Sequence, residues 1–297
     1  MAAPADLTVI ANPISGWGKG KRFARALLKL LQGSDLPHQL YWTEGPGHAR
    51  ILAETAVAQG ARTVVCVGGD GTIHEAIQAL AGRESALLAA PAGRCNDFAK
   101  AIGPLPSPEG VVKALQNPVL REMDLAKAGG LYFATVGATG FDAQVAKFVD
   151  QTRLPVKGFL AYLIGIIKIL ARYQPSDYHI RWQHGQFRGP LLMASVGNTP
   201  TYGNEIPITP EARPDDGLLD LCLVRPVGFF RAMTLLHVVK TGKHGRLPIV
   251  SFHKSPWVEI AASPQVEMWS DGEAHTTTPL RVEVAPGALR VVTPPAL

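Results

Sequence analysis

The residues best suited to chemistry sit in three glycine-rich turns, each placed directly after an apolar run. Gly68-Gly69-Asp70-Gly71-Thr72 follows the run 63–67 and precedes the helical pattern 73–80. Glycines remove Cβ atoms where a bulky anion must approach the backbone, and the start of the next helix offers unpaired N–H groups to phosphate oxygens. Asp70 repels phosphate directly, so a role through Mg²⁺ is the more reasonable one. Asn12-Pro13-Ile14-Ser15-Gly16 follows a second run, and Pro91-Ala92-Gly93-Arg94-Cys95-Asn96-Asp97-Phe98 follows a third at 87–90. In an open parallel sheet the carboxyl ends of the strands lie on one edge, so these three turns are expected to converge on one ligand.

The elements that must position these turns follow from the pattern around them. Apolar runs at 7–11, 38–42, 63–67 and 87–90 alternate with helical patterns at 19–31, 48–59 and 72–81, which predicts a parallel sheet flanked by helices. On the first helix Phe23, Leu27, Leu30 and Leu31 recur at helical spacing, while Lys21, Arg22, Arg25 and Lys29 fill much of the rest. Those basic residues are most simply a solvated face. Past the prolines of 104–108 and one more helical stretch, runs at 131–136, 179–182, 191–196, 218–224, 257–261 and 281–284 read as strands between Gly, Pro and Asp turns. Helical segments at 158–173 and 229–240 interrupt them. The second part is therefore expected to be mostly β, with a boundary near Asp124.

Composition sets outer bounds. The chain has 297 residues, 46% hydrophobic, with 29 Lys and Arg against 24 acidic residues and a pI near 9.2. Two domains and a mild preference for anionic partners follow. Cys66, Cys95 and Cys222 are widely spaced and form neither a metal pair nor an even disulfide set, which suits a reducing cytoplasm. The N-terminus lacks the basic and apolar regions of a secretory signal and is expected to be uncleaved. The apolar run 158–171 is too short to cross about 30 Å of hydrocarbon and carries Lys168, so it is expected to pack against the protein.

Other patterns are set aside on spacing. The stretch from Gly16 to Lys21 is one residue short of a Walker loop, and Arg22 stands where a Mg²⁺-holding Ser or Thr belongs. His74-Glu75 lacks the second histidine of a zinc-protease helix, and no Gly-x-Ser-x-Gly elbow occurs. Asp271-Gly272-Glu273 is, on its residues alone, a hairpin turn.

Taken together with Gly140-Phe141-Asp142, Asp215-Asp216-Gly217-Leu218 and Asp271-Gly272-Glu273, the three turns resemble the bacterial diacylglycerol kinase and lipid kinase family, in that family's order over nearly the whole chain. The resemblance implies an NAD kinase/6-phosphofructokinase-like fold. An α/β nucleotide-binding domain with a parallel sheet would span 1–124, a β-rich, sandwich-like domain 125–288, and 289–297 would return to the first, with the active site in the cleft between them. It further implies that Asn12, Pro13, Ile14, Ser15, Gly16, Thr43, Gly68, Gly69, Asp70, Gly71 and Thr72 hold ATP and that Glu273 is the general base. It also implies a structural Mg²⁺ held by the Asp216 side chain and the backbone oxygens of Arg213 and Leu218. Two positions depart from the family: Arg94 stands where Thr is usual and His74 where Asn is usual. Arg94 replaces a hydroxyl with a forked cation for phosphate.

The function implied is an ATP- and Mg²⁺-using kinase acting on the hydroxyl of diacylglycerol or a related lipid alcohol. NAD kinase, or a nucleotide-binding regulatory protein with altered catalysis, is the alternative. The expected location is cytoplasmic, with peripheral contact at the inner face of the membrane and no nucleic-acid partner. Lys240, Lys243, His244, Arg246 and Lys254 form the densest basic stretch for such contact. Neither the lipid's identity nor the oligomeric state is legible.

Overall fold

A computed structural model describes residues 6–103, 105, 107–152, 159–203 and 205–294. The expected residues Pro104 and Gly158 lie outside these. The chain divides into two compact units, one within 1–125 and 286–297, the other within 126–285.

In the first unit the alternating runs become β1 (Leu7–Ala11), α1 (Ser15–Gln32), β2 (His38–Trp42), α2 (His48–Ala58), β3 (Thr63–Gly68), α3 (Asp70–Leu80), β4 (Ala86–Pro91), α4 (Asp97–Ile102), α5 (Pro108–Gln116) and the start of β5 (Val119–Ala128). β1 pairs in parallel with β2 and β3, and β3 with β4, giving the order β2-β1-β3-β4. Covered on both faces by helices, β1 and β3 read as continuous apolar runs rather than alternating ones. Leu27 and Leu31 of α1 are fully buried with Val9, Val65 and Leu88, each such side chain contributing about 1.5–3 kcal/mol. α5 starts where Ser107 accepts a hydrogen bond from the Gly110 N–H at 3.1 Å with Pro108 beside it, an N-cap with proline in the first turn.

The second unit takes the rest of β5, β6 (Leu131–Phe133), β7 (Val136–Gly140), α6 (Phe141–Gln151), α7 (Phe159–Leu170), β8 (Ser176–Trp182), β9 (Gly185–Leu191), β10 (Met193–Gly197), β11 (Leu219–Val224), α8 (Phe229–Lys240), β12 (Val250–Ser255), β13 (Trp257–Ser263), β14 (Glu267–Ser270), β15 (Glu273–Thr277) and the first part of β16 (Leu280–Thr293). One antiparallel sheet runs β12-β11-β10-β7-β14-β15, and a second places β13 between β16 and β8, with β9 beyond β8. Leu219, Leu221 and Leu223 of β11 face a core shared with Ile180, Val258, Ile260 and Val282 of the other sheet, whereas Cys222 joins Phe141, Val145 and Leu170 on the helical side. That period of two makes the unit a sandwich with helices on one outer face. Among the described residues no helix is long and apolar enough to cross a membrane.

The chain leaves the first unit within β5 and returns within β16. Arg290 and Val291 pair in parallel with Ala86 and Leu87, so the C-terminal strand extends the sheet of the first unit. The return begins at 286, three residues before the expected 289.

Candidate functional site

The first cluster lies in the first unit, where the three turns meet. Asn12 donates from Nδ2 to Thr72 Oγ1 at 3.0 Å and accepts from the Ile14 N–H at 3.1 Å, tying the first turn to the second. Asp70 reaches the third turn: its carboxylate accepts from the Asn96 N–H at 2.7 Å and the Phe98 N–H at 3.4 Å. Asn96 in turn accepts from the Gly93 N–H at 2.8 Å. A Cβ on Gly93 would lie 2.4 Å from the Gly69 Cα, and one on Gly16 2.1 Å from the Ala92 oxygen, so only glycine permits this closeness. The carboxylate of Asp70 thus caps α4 and locks loop to loop.

Above this junction α3 presents the N–H groups of its first turn, an anion-binding end by its partial positive charge. Thr43 is buried just past β2, its N–H bonded to the Ala11 oxygen. Arg94 is exposed on the third turn. His74 is buried on α3 and accepts from Gln78 Nε2 at 3.4 Å, within its own helix. Glu75, weighed in the sequence only beside His74 as a metal motif, has a structural role: it accepts from the N–H groups of Gly47 and Ala49 at 2.7 and 2.9 Å, capping α2 from more than twenty residues away. Nothing local in the sequence signals that contact.

The second cluster belongs to the second unit. Asp271 (φ 50°) and Gly272 (φ 87°) form the turn between β14 and β15, both left-handed as a tight hairpin requires. The Asp271 carboxylate accepts from the Ala134 and Thr135 N–H groups at 2.9 and 3.0 Å and from Thr135 Oγ1 at 2.5 Å. This pins the hairpin and sets Glu273, exposed, as the first residue of β15. His275 donates from Nε2 to the Ala128 oxygen at 2.8 Å, so its Nδ1 is left to accept from Ser270 Oγ at 2.7 Å. Burial pushes the thiols of Cys66 and Cys222 up to about 12 and that of Cys95 to about 11, which leaves all three protonated and unsuited to nucleophilic work.

At the residues expected to hold the structural ion, a lysine meets the acidic side chain. Lys254 Nζ lies 3.2 Å from Asp216 Oδ2, 3.1 Å from Asp220 Oδ2 and 3.2 Å from the Glu211 oxygen, while Asp216 Oδ1 accepts from the Leu218 N–H at 3.1 Å. Burial opposes the lysine's charge, but its bonds to Asp220 and Asp216 outweigh that and hold it protonated. An ammonium already neutralises the one carboxylate assigned to the ion. Where the resemblance places Mg²⁺, at Arg213, Asp216 and Leu218, the structure thus has an ammonium paired with the Asp216 carboxylate. The same contact breaks up the basic stretch at 240–254. Its His244 is also buried, donating from Nε2 to the Ile208 oxygen at 3.0 Å with its charge suppressed by burial.

One chain thus carries a parallel α/β unit with three interlocked glycine turns and a β-sandwich unit with an ordered acidic hairpin. The family model of the diacylglycerol kinase catalytic domain matches residues 6–128, and that of the YegS C-terminal NAD kinase beta sandwich-like domain matches residues 135–293. A protein of Mycobacterium tuberculosis (strain ATCC 25618 / H37Rv) described as "Diacylglycerol kinase" is 30% identical over 97% of this chain and 95% of its own length. One of Pseudomonas aeruginosa (strain PAO1) described as "Probable lipid kinase YegS-like" is 33% identical over 88% of this chain and 86% of its own. A solved structure described as "a putative diacylglycerol kinase from Bacillus anthracis str. Sterne" superposes with a TM-score of 0.80 at 22% identity, and another described as "a diacylglycerol kinases from Bacillus anthracis str. Sterne" with 0.72 at 21%, each over 97% of both chains. At that identity they show the fold alone. The chain belongs to the diacylglycerol kinase and YegS-like lipid kinase family, and it is a kinase.

Proposed function

We propose that this kinase transfers the γ-phosphoryl group of Mg²⁺-bound ATP to the hydroxyl of diacylglycerol or a closely related lipid alcohol. The interlocking of the three glycine turns carries the reading. The α3 N-terminus and glycine backbone supply N–H donors for the phosphates of a nucleotide, and Arg94 adds a cation beside them. Phosphoryl transfer asks little covalent chemistry of the protein beyond positioning and charge stabilisation. The acceptor oxygen bonds to the γ-phosphorus as the bond to the bridging oxygen breaks and ADP leaves. Glu273 takes the hydroxyl proton, because an alcohol is a poor nucleophile until a carboxylate within hydrogen-bond reach accepts it. Mg²⁺ enters as part of the nucleotide substrate, and no step passes through a metal held by Asp216.

Asp70, whose oxygens already hold the third turn, supports the site by fixing that turn. The same glycine turn would serve an NAD kinase, which would have no use for an acidic hairpin held as this one is. Transfer of labelled phosphate to micelle-dispersed diacylglycerol, with NAD offered in parallel, separates the two. An organic-extractable labelled product supports the lipid reading; label on NAD alone overturns it. Nucleotide binding without transfer to either acceptor favours a regulatory protein with altered catalysis.

A further inference from the structure

Glu273 stands at the edge of its sheet. Among the described residues β15 is the last strand of that sheet, and Glu273 pairs with Ser270 across the two-residue turn at Asp271 and Gly272. A short, exposed hairpin tip frays unless something holds it, and a proton acceptor misplaced by about 1 Å loses much of its effect. The stem of this hairpin is tied by His275 to the Ala128 oxygen. The tip is tied through Asp271 to residues 134 and 135.

That anchor is itself gripped from behind. Ala134 and Thr135 lie between β6 and β7, outside both strands, and are buried together with Asn198 and Thr199, which follow directly on β10. Asn198 donates from Nδ2 to the Ala134 oxygen at 3.0 Å and from its N–H to the Thr135 oxygen at 2.8 Å, which also accepts from the Thr199 N–H at 3.3 Å. The carbonyls of both residues thus face Asn198 and Thr199, while their N–H groups face Asp271. The Thr135 hydroxyl adds a third donor to the Asp271 carboxylate. For packing alone a valine would fill the place of Thr135; the hydroxyl fixes the angle at which the carboxylate is held. A buried network whose polar groups are satisfied from two sides is rigid, because each lost partner leaves a desolvated group behind.

We infer that Asn198 and Thr135 are positioning residues for phosphoryl transfer. Asn198 fixes the 134–135 segment, that segment fixes Asp271, and Asp271 fixes the turn that carries Glu273. Neither residue is assigned a contact with the reacting atoms. The inference deepens the base role proposed for Glu273 and rests on it.

Transfer of labelled phosphate from ATP to dispersed diacylglycerol tests it in the full chain. Thr135→Val, Thr135→Ser and Asn198→Asp are each measured with Glu273 intact and in the Glu273→Gln background. Valine keeps the shape of Thr135 without the donor, serine keeps the donor, and aspartate at 198 turns an oxygen towards the Ala134 oxygen. With Glu273 intact, kcat is expected to fall about ten- to a hundredfold in Thr135→Val and Asn198→Asp, with KM for ATP unchanged and most of kcat restored by Thr135→Ser. The melting midpoint of Thr135→Val is expected to fall by no more than about 5 °C. In the Glu273→Gln background the same changes are expected to cost less than about twofold, because residues that act through one group are not additive with its loss. Should Asn198→Asp fail to fold, Thr135→Val decides alone. Equal losses in both backgrounds, or full kcat in Thr135→Val, overturn the positioning role and leave the base standing. Undiminished transfer by Glu273→Gln alone removes the base, and this inference with it.

Discussion

At the scale of single residues, buried carboxyls shape how the second unit responds to solution conditions. Burial lifts the Asp142 carboxyl from 3.8 to about 6, against a hydrogen bond from Tyr202. Its folded state therefore holds a proton that the unfolded chain releases, and stability falls as pH rises from about 4 to about 6 and then levels off. Asp142→Asn is expected to remove that fall and to raise stability at pH 7.5 by about 1–3 kcal/mol, read as melting midpoints of both proteins between pH 4.5 and 8. No gain at pH 7.5 would mean that the carboxylate is better paired than its burial implies. Lys254 gives a second test. With an ammonium held by Asp216 and Asp220, the melting midpoint should be the same with Mg²⁺ as with chelator, and Lys254→Ala should cost about 1–2 kcal/mol by leaving Asp220 unpaired. Stabilisation of the unmutated protein by Mg²⁺ would restore the metal site.

At the scale of elements, the glycine turns act as fitted parts. Gly93→Ala places a Cβ 2.4 Å from the Gly69 Cα, so the second and third turns must separate. ATP affinity is expected to fall at least tenfold by equilibrium binding, while melting shifts by only about 1–3 kcal/mol. Unchanged affinity would show that the junction is not where the nucleotide sits. The four expected strands of this unit and the 229–240 helix were legible, because parallel strands covered on both faces and helices with an apolar stripe leave strong patterns. The sandwich was harder to read. The run at 131–136 contains two strands, since Ala134 and Thr135 turn their N–H groups to Asp271 rather than to a neighbouring strand. The run at 191–196 also breaks, because Leu192 carries the chain from the sheet of β9 to that of β10. β5, β9, β12, β14 and β15 escaped notice, for their charged and polar residues, glycines or short lengths give no clear alternation. α4 and α6 were hidden behind the motifs at their N-termini. Within the candidate site, glycine and hairpin positions were legible from their special backbone, whereas the partners of Asp70, Glu75 and Lys254 lie far away in sequence and left no trace.

At the scale of the whole molecule, the C-terminal segment completes the sheet of the first unit. Leu289, Val291 and Val292 are buried, and Gly287 N–H donates to Asp124 Oδ1 at 2.8 Å. Deleting 286–297 strips a strand from the first unit although every turn residue remains. ATP binding is expected to be lost together with cooperative melting, and retention of both would show that the N-terminal segment folds without it. The proposed role of Glu273 as the base that takes the acceptor's proton is tested most directly by comparing the unmutated protein with Glu273→Gln. Both are assayed for ATP affinity and for transfer of labelled γ-phosphate to dispersed diacylglycerol. The account predicts transfer reduced by at least a hundredfold at near-equal ATP affinity, in the range expected for loss of a general base. Undiminished transfer by Glu273→Gln would contradict it.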